Sequence, residues 1–434
     1  MQINNKSTFK TIKQYLSSYR NIFYKRSFEI FVLIIISIIT TQKMQSIKFI
    51  FEKFITKFWN KSLNSFYYFF KNEKHSLEKI MQTTAEIAIS LIPEEYKQTS
   101  TIYLAIDDTL QPKFGEKFDN KYKLFDHSHR CGSCFVNGHQ IVALTMSVPI
   151  YKNGEIKYIT TPVGYKLFDK SVSKLELSKI LIHTIMPKLT SFQVIILCDT
   201  WYTNKNLLEI IDQYDNLNLI GAVRKNTVLY GKVPPKTGKR GRPKTKGEEL
   251  DYKKFEFHQD KDFYVTTVKC KTNLYKNDVF ITTTVKDIEN FSSVRMYLST
   301  IDLEQIKSKD DKTTQKQKLN LYDIYKMRWN IEVIFYQQKT FWSFGNYMVR
   351  SKVGIEKYIN LIGVAYSATI LIPFISENFI DFQFCSPQEV KYAFGEGIKD
   401  DLFLCNLLKT KEIKENLSHL EYLRQFESID KLAS

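Results

Sequence analysis

The pattern of apolar and polar residues changes near residue 100. Over residues 1–95 the apolar positions recur at helical spacing, and Pro93 closes the last of several predicted helices. The run Ile30–Ile39 is apolar throughout except for Ser37, but it is about half as long as the roughly 20 residues that a membrane-spanning helix needs. We therefore expect a helical N-terminal domain over residues 1–95, with a buried helix at this run and no membrane partner.

Residues 96–224 have the pattern of a mixed α/β sheet. Three short apolar runs are followed by an amphipathic helix, a fourth apolar run, a second helix and a fifth run. The dipeptide Asn153–Gly154 predicts the turn between the second and third strands. The predicted strands cover about residues 102–108, 139–151, 155–168, 192–199 and 217–226, and the predicted helices about residues 174–189 and 204–214.

The remainder of the chain divides into an insertion, a helical segment and a tail. Residues 225–318 are β-rich and include a basic arm, residues 234–247, that has turn-forming residues and no apolar ones. A long helix begins near residues 319–321 and continues past Lys339, and an apolar helix covers about residues 355–374. Residues 319–375 are expected to complete the α/β core, and residues 376–434 to form a helical tail available for dimerisation.

Composition and charge narrow the class of protein. The 434 residues are 43% hydrophobic with few Gly and Pro, which excludes a disordered or collagen-like chain. Six scattered Cys imply no disulfide framework and fit a reducing cytoplasm. The net charge of +17 indicates a polyanionic partner, with nucleic acid as the first candidate. Residues 1–74 carry +10 and residues 224–254 carry +8, so the excess forms two basic patches beside a nearly neutral remainder.

Acidic side chains end two of the predicted strands. Asp107 and Asp108 end the first strand and Asp199 ends the fourth, positions where a buried carboxylate needs a cation or hydrogen-bond donors. Adjacent strands can hold such carboxylates close together, and Glu332 on the long helix can complete a site for two metal ions. The alternative for each Asp alone is a turn or helix cap.

The long helix groups polar residues on one face. At 100° per residue, Tyr325, Arg328, Glu332 and Lys339 fall within about 60° of one another. An i,i+4 salt bridge explains Arg328 and Glu332 but not the other two. A carboxylate for a cation, with Arg, Lys and Tyr for phosphate oxygens, is the set expected of a metal–phosphate site.

The spacing Tyr-x2-Arg-x3-Glu-x6-Lys of these four residues resembles the YREK signature of a large branch of bacterial insertion-sequence transposases. The segments AIDDTLQPKFG, ILCDTWYTN and YKMRWNIEVIFYQQK are also similar to that family. The resemblance implies a ribonuclease H-like catalytic core over about residues 100–370, with a β-rich insertion between the second Asp and the Glu. The first catalytic Asp of such enzymes precedes a Thr, which favours Asp108 over Asp107. The implied catalytic metal ligands are Asp108, Asp199 and Glu332, and the implied contacts to transposon-end phosphates are Tyr325, Arg328 and Lys339.

The same resemblance implies the reaction and its partners. We expect two Mg²⁺ (or Mn²⁺) ions, cleavage of double-stranded DNA at the terminal inverted repeats, and strand transfer into target DNA. A homodimer in the bacterial cytoplasm, associated with the nucleoid, is implied as well. No G-x4-G-K-[S/T] loop is present, so no nucleotide cofactor is expected. The alternatives are a transposase-derived DNA-binding protein without catalysis and a ribonuclease H-like nuclease that does not transpose.

Three weaker signals complete the sequence analysis. The KRGRPK segment of the basic arm resembles an AT-hook core for a narrow minor groove, with the alternative of a solvated loop; its expected DNA contacts are Lys239, Arg240, Arg242 and Lys244. A zinc site is the less favoured interpretation of His127, His129, Cys131, Cys134 and His139. Well-studied relatives place a Trp for a flipped base in the insertion, which here has none; the candidate substitutes are Tyr252, Phe263, Tyr264 and Trp342.

Overall fold

The computed structural model describes residues 7–41, 46–126, 134–234, 246–260, 262–302 and 321–409. Several predicted contacts lie outside these ranges. They are the four basic residues of the AT-hook-like segment, Lys239, Arg240, Arg242 and Lys244, and three of the possible zinc ligands, His127, His129 and Cys131.

The N-terminal region is helical, as the apolar periodicity predicts. Side chains of Ser7, Ser62 and Ser76 accept backbone N–H bonds at helix starts, which satisfies donors that have no partner within the helix. Residues 30–40 are all buried, so the apolar run forms a core helix. The helices are α1 (Thr8–Ser17), α2 (Lys25–Thr40), α3 (Ile47–Ile50), α4 (Thr56–Phe58), α5 (Leu63–Lys71) and α6 (Leu77–Ile89), with a π-helical turn (Phe51–Ile55) between α3 and α4.

A mixed sheet follows, and it contains the five predicted strands in the predicted order together with one strand that was not predicted, Tyr122–Phe125. Strand β1 runs parallel to β5, β5 runs parallel to β6, and β3 is antiparallel to both β1 and β4. The turn between β3 and β4 has positive φ at Asn153 and Gly154, as a two-residue hairpin requires. The elements are β1 (Thr101–Pro112), β2 (Tyr122–Phe125), β3 (Phe135–Lys152), β4 (Glu155–Leu167), α7 (Lys174–Ile185), β5 (Gln193–Cys198), α8 (Lys205–Leu208) and β6 (Leu217–Val223).

The β-rich region after β6 continues this sheet instead of forming a separate layer. Strand β12 pairs with β6, and β11, β10, β7 and β8 follow it outward, which makes twelve strands in the described part of the sheet. The elements are β7 (Leu229–Tyr230), β8 (Glu249–Leu250), β9 (His258–Asp260), β10 (Phe263–Thr272), β11 (Val279–Val285) and β12 (Arg295–Ser299).

The long helix predicted past residue 319 is broken in two. Helix α9 (Leu321–Lys326) ends just before Arg328, and α10 (Trp329–Phe341) begins directly after it. Around the break the backbone bonds span three residues, as in Arg328 N–H to Tyr325 O at 3.0 Å, which is 3₁₀-type geometry. The segment from Tyr325 to Lys339 is therefore two helices joined by a 3₁₀ turn, and the i,i+4 contact between Arg328 and Glu332 is kept across the start of α10.

The C-terminal helices pack on the N-terminal ones. Helix α11 (Lys352–Ile375) lies against β4, α2 and α6, and α12 (Pro387–Lys409) lies against α2 and α1. Within the described residues α11 alone is long and apolar enough to span a bilayer, and 83% of its apolar window is buried inside the protein. It is therefore a core helix, and one hydrophobic core extends from Phe9 to Cys405.

Candidate active site

Asp107 and Asp108 do not end β1 as predicted, because the strand continues to Pro112 through its pairing with β3; the pairing with β5 stops at Ile106 and brings Asp107 next to Asp199. Ile106 of β1 pairs with Cys198 of β5, so Asp107 and Asp199 come next on two parallel neighbours. Because successive side chains on a strand point to opposite faces, Asp107 and Asp108 enter different surroundings. The structure therefore decides which carboxylate faces α10.

Asp107 faces α10. Its Oδ2 lies 3.3 Å from Nη1 of Arg328, and its Oδ1 accepts the Asp108 N–H at 2.8 Å. Burial raises the pKa of Asp107 to about 7, and the negative charges of Asp199 and Asp108 add to the rise, while the backbone N–H and Arg328 oppose it. Asp107 is thus a crowded carboxylate whose charge a cation would stabilise.

Asp108 points the other way and is saturated with donors. Lys174 Nζ lies 2.9 Å from Oδ1 and 3.1 Å from Oδ2, and the Tyr202 hydroxyl donates to Oδ1 at 2.7 Å. The Gln140 amide donates to Oδ2. These three side chains hold Asp108 in place with a complete set of neutral and positive partners.

Asp199 shapes the turn that follows β5. Its Oδ1 accepts the N–H groups of Trp201 and Tyr202, each at 3.0 Å, and its carbonyl accepts the Thr203 hydroxyl at 2.8 Å. The predicted alternative, a turn-capping Asp, therefore describes one of its oxygens. Capping does not exclude a second role, because Asp199 stays half-buried and close enough to Asp107 to raise the pKa of that carboxyl.

Arg328 joins the acids of the sheet to the acid of α10. Its Nη2 donates to Glu332 Oε1 at 2.6 Å while Nη1 contacts Asp107. The side chain is mostly buried, and its Nε has no hydrogen-bond partner within the described residues. A buried guanidinium N–H without an acceptor is costly, so Arg328 has unused capacity to bind an oxygen.

Tyr325 and Lys339 reach the same edge of the sheet from different parts of the helix pair. The Tyr325 hydroxyl donates to the carbonyl of Cys198 at 3.1 Å, next to Asp199. Lys339 Nζ donates to the carbonyl of Leu110 at 3.0 Å, and burial lowers the pKa of Lys339. Tyr325, Arg328 and Lys339 therefore all contact β1 or β5, and Glu332 is held to the same edge through Arg328.

The oxygen atoms at this edge match the ligands of a hard metal cation only in part. Carboxylate oxygens are what Mg²⁺ and Mn²⁺ prefer. Yet within the described ranges no three acid, His or Cys side chains already surround a common point. Arg328 accounts for this, because its guanidinium lies between Asp107 and Glu332 and supplies the positive charge.

His139 is not available as a zinc ligand. That side chain is fully buried, its Nδ1 contacts the Tyr347 hydroxyl at 2.5 Å, and its Nε2 contacts the Asp119 carbonyl at 2.9 Å. Burial lowers the pKa of His139 to about 4. Both ring nitrogens are therefore engaged, and of the remaining candidates the structure describes Cys134 alone.

Sequence reasoning missed the three partners of Asp108. Lys174 is the first residue of α7, Tyr202 stands three residues after Asp199, and Gln140 lies on β3 two residues from the register partner of Asp108. The segment DTWY places Tyr202 close to Asp199 in the sequence and could have indicated it. Lys174 approaches Asp108 only because α7 returns to the sheet, which no local pattern indicates.

The aromatic candidates for base contact differ sharply in accessibility. Trp342 is only 1% exposed, so it cannot stack on a base, while Tyr252, Phe263 and Tyr264 are half-buried. Trp201, which the sequence analysis did not single out, is 47% exposed.

Comparison with protein-family models and with curated proteins gives no match for this chain. The site residues and the family resemblance therefore stay predictions, and the functional argument depends on the geometry described above.

Proposed function

We propose that the chain is a DDE transposase that cleaves DNA at the ends of an insertion sequence and transfers the freed strand into target DNA. The observation that carries the proposal is that Arg328 contacts both Asp107 of β1 and Glu332 of α10, next to Asp199 after β5, although among the described residues the three acids do not surround a common point. Acids from neighbouring parallel strands and an adjoining helix, beside a basic side chain, suit metal-dependent phosphodiester chemistry.

The sheet order supports a ribonuclease H-like core for this proposal. Strands β4, β3, β1, β5 and β6 lie side by side in that order, with β3 antiparallel and β1, β5 and β6 parallel. In the numbering of these five strands alone, the order is 3-2-1-4-5. The strands from β7 to β12 then correspond to the expected insertion, although they extend the same sheet.

The carboxylate of β1 that shares this site is, in our proposal, Asp107 and not Asp108. Among the described residues Asp107 has a single cationic partner, Arg328 at 3.3 Å, and the charge of Asp199 acts on it as well. Asp108 is hydrogen-bonded to Lys174, Tyr202 and Gln140, which leaves it the role of fixing β1 to α7, β3 and the turn after β5. The family pattern favours Asp108, so the two residues are to be tested separately.

Two Mg²⁺ or Mn²⁺ ions, held by Asp107, Asp199 and Glu332, would polarise the attacking water and stabilise the leaving 3′-oxygen when bound. The chain's own groups position the DNA. When Glu332 binds a metal ion and no longer pairs with Arg328, the guanidinium of Arg328 is available to a DNA phosphate. Lys339 and Tyr325 offer further hydrogen-bond donors to the DNA backbone. The two basic patches, residues 1–74 and 224–254, supply affinity for double-stranded DNA.

A homodimer and a cytoplasmic, nucleoid-associated location belong to the same proposal. The two ends of the insertion sequence must be held together while both are transferred, so the active oligomer needs two copies of the site. Helix α12 packs on α1 and α2 of its own chain, so a partner would use other surfaces of the tail.

The test is a cleavage and joining assay on DNA that carries the terminal inverted repeats bordering the gene, with Mg²⁺ present. We expect cleavage and strand joining by the wild type, and DNA binding without cleavage by Asp199→Ala. The matched control is Asp215→Ala, an exposed acid in the same region that should cleave normally. Wild-type binding without cleavage would favour a DNA-binding protein without catalysis, and cleavage without joining would favour a nuclease that does not transpose; either result contradicts the proposal.

A further inference from the structure

A buried lysine follows directly after β1. Lys113 is 7% exposed, and its Nζ donates to the carbonyls of Gly345 at 2.6 Å and of Tyr347 at 2.8 Å. The same Nζ lies 3.6 Å from the centroid of the Tyr347 ring. Both carbonyls belong to the loop that follows α10, so one side chain connects the end of β1 to the end of the helix that carries Glu332.

The charge of this lysine is costly to bury. Burial lowers the pKa of Lys113 to about 8, and within the described ranges its Nζ bonds main-chain carbonyls and not a carboxylate. An apolar side chain of similar length would avoid this cost, because the rings of Phe118 and Tyr347 line the site. A buried cation in such surroundings can fix a single arrangement of the groups around it.

Three polar contacts between described residues connect β1 with α10 and its loop, and they follow the same order along both. They are Asp107 with Arg328 at 3.3 Å, the Leu110 carbonyl with Lys339 at 3.0 Å, and Lys113 with the Gly345 carbonyl at 2.6 Å. The helix therefore runs alongside the strand in the same direction. In the function proposed above, Arg328 and Lys339 turn to DNA phosphates, so the Lys113 contact is the one of these three that persists on substrate.

The loop after α10 is packed closely against the sheet at this point. A methyl group at Gly345 would overlap the side chain of Gln111 on β1. The Tyr347 hydroxyl contacts Nδ1 of the buried His139 on β3 at 2.5 Å. Because close-packed groups transmit displacements to their neighbours, a change at Lys113 should move the end of α10 and not only the loop.

We propose that Lys113 is a positioning residue that keeps α10, and with it Glu332, in place against the acids of the sheet. Its contact holds the helix while Arg328 and Lys339 exchange their present partners for DNA. The inference rests on the proposed function, since it concerns the placement of carboxylates that hold metal ions. Lys113 itself touches neither the acids nor the DNA, and it acts through the main chain of the loop.

The test measures Mn²⁺ binding and DNA cleavage by full-length Lys113→Met, at a temperature at which circular dichroism shows the variant to be folded. Met retains most of the length of the lysine and removes the donor to both carbonyls. Mn²⁺ affinity, measured by electron paramagnetic resonance with end-bearing DNA, should fall about 10- to 100-fold, the range for groups that orient metal ligands. Cleavage at saturating DNA should slow to a similar extent, while the KM for DNA changes by less than about threefold.

Lys357→Met is the matched control. Lys357 is also buried, at 2% exposed, and its Nζ also donates to two main-chain carbonyls, but these lie at the end of α5. This variant should lose comparable stability and retain the wild-type Mn²⁺ affinity and cleavage rate. If Lys113→Met does not fold, Lys113→Gln, which retains a shorter donor, should show the same losses to a smaller extent.

Two outcomes would overturn the inference. If the folded Lys113 variant binds Mn²⁺ and cleaves DNA as well as Lys357→Met does, Lys113 has only a structural role, and the transposase proposal stands. If the wild type neither binds Mn²⁺ nor cleaves end-bearing DNA, both the inference and the proposed function fail.

Discussion

Two regions of this protein bury charge, and they satisfy it in different ways. At the carboxylate edge, which comprises Asp107, Asp108, Asp199, Arg328 and Glu332, charged side chains are partners for other charged side chains. At the helix seam, where α11 and α12 meet the N-terminal helices, buried lysines bond main-chain carbonyls.

The seam lysines complete the ends of N-terminal helices. Lys357 Nζ donates to the carbonyls of Phe69 at 2.8 Å and of Asn72, at the end of α5. Lys391 Nζ donates to the carbonyl of Thr41, which follows α2, at 2.9 Å. These carbonyls have no partner within their own helix and carry the negative end of its dipole. Burial lowers the pKa of each lysine to about 8.

The difference separates a structural use of charge from a functional one. A main-chain carbonyl cannot titrate or leave, so a seam lysine has a permanent partner. A carboxylate paired with Arg328 can exchange that partner for a metal ion or release it to a phosphate. We therefore expect substitutions at the edge to affect catalysis, and substitutions in the seam to affect folding.

The largest expected effect separates the two neighbouring acids of β1. Asp107→Asn should reduce DNA cleavage by at least about 10³-fold, because it removes a group that acts on the reacting centre. Asp108→Asn should cost only about 10- to 100-fold, the range for residues that orient such groups. The cleavage rates of the two purified variants on the same end-bearing DNA measure both effects. A larger loss for Asp108→Asn than for Asp107→Asn would make Asp108 the catalytic carboxylate.

The next effect concerns the seam. Lys357→Met should lower the free energy of unfolding by about 1–3 kcal/mol, since two buried carbonyls lose their donor. Urea unfolding measures the change, and Lys48→Met, at an exposed surface position, is the control. Cleavage by the folded variant should stay near the wild-type rate. A loss of cleavage without a loss of stability would contradict the structural role of the seam lysines.

A buried histidine makes the seam sensitive to acid. Burial, together with the charge of Lys357, lowers the pKa of His75 to about 4, below its ordinary value. Between pH 6.5 and 4 the imidazole is therefore protonated in the unfolded chain but not in the folded one, so stability falls as the pH decreases through this window, by about 1–2 kcal/mol between pH 7 and pH 5. Urea titrations at pH 7 and pH 5 should show the loss, and His75→Phe should reduce it; an unchanged pH dependence in this variant would contradict the assignment.

The smallest effect concerns the basic surface that the seam fixes to the core. Replacing the exposed Lys48, Lys53 and Lys57 with Gln should weaken duplex binding and lower the log–log salt slope by about 0.9 for each phosphate that the variant no longer neutralises. Binding measured over a range of salt concentrations tests this. A slope equal to that of the wild type would show that this surface does not touch DNA.

Local patterns predicted the strands that carry the acids, the turn at Asn153–Gly154 and the buried helix α2, because each depends on neighbours in sequence. The break at Arg328 was not predicted, since the residues around it have ordinary helical periodicity and only the contacts of Arg328 with Asp107 and Glu332 distinguish them. The surroundings of Asp108 were not predicted either, because Lys174 reaches it from the start of α7, 66 positions away in the chain.

The most direct measurement of the central claim is Mn²⁺ binding by the full-length protein, followed by electron paramagnetic resonance in the presence of end-bearing DNA. If Asp107, Asp199 and Glu332 share a cation site, Glu332→Gln should lose the tightly bound Mn²⁺ and lose cleavage together, while still binding DNA. If Glu332→Gln binds Mn²⁺ as tightly as the wild type and cleaves DNA at the same rate, the carboxylate edge is not the catalytic site.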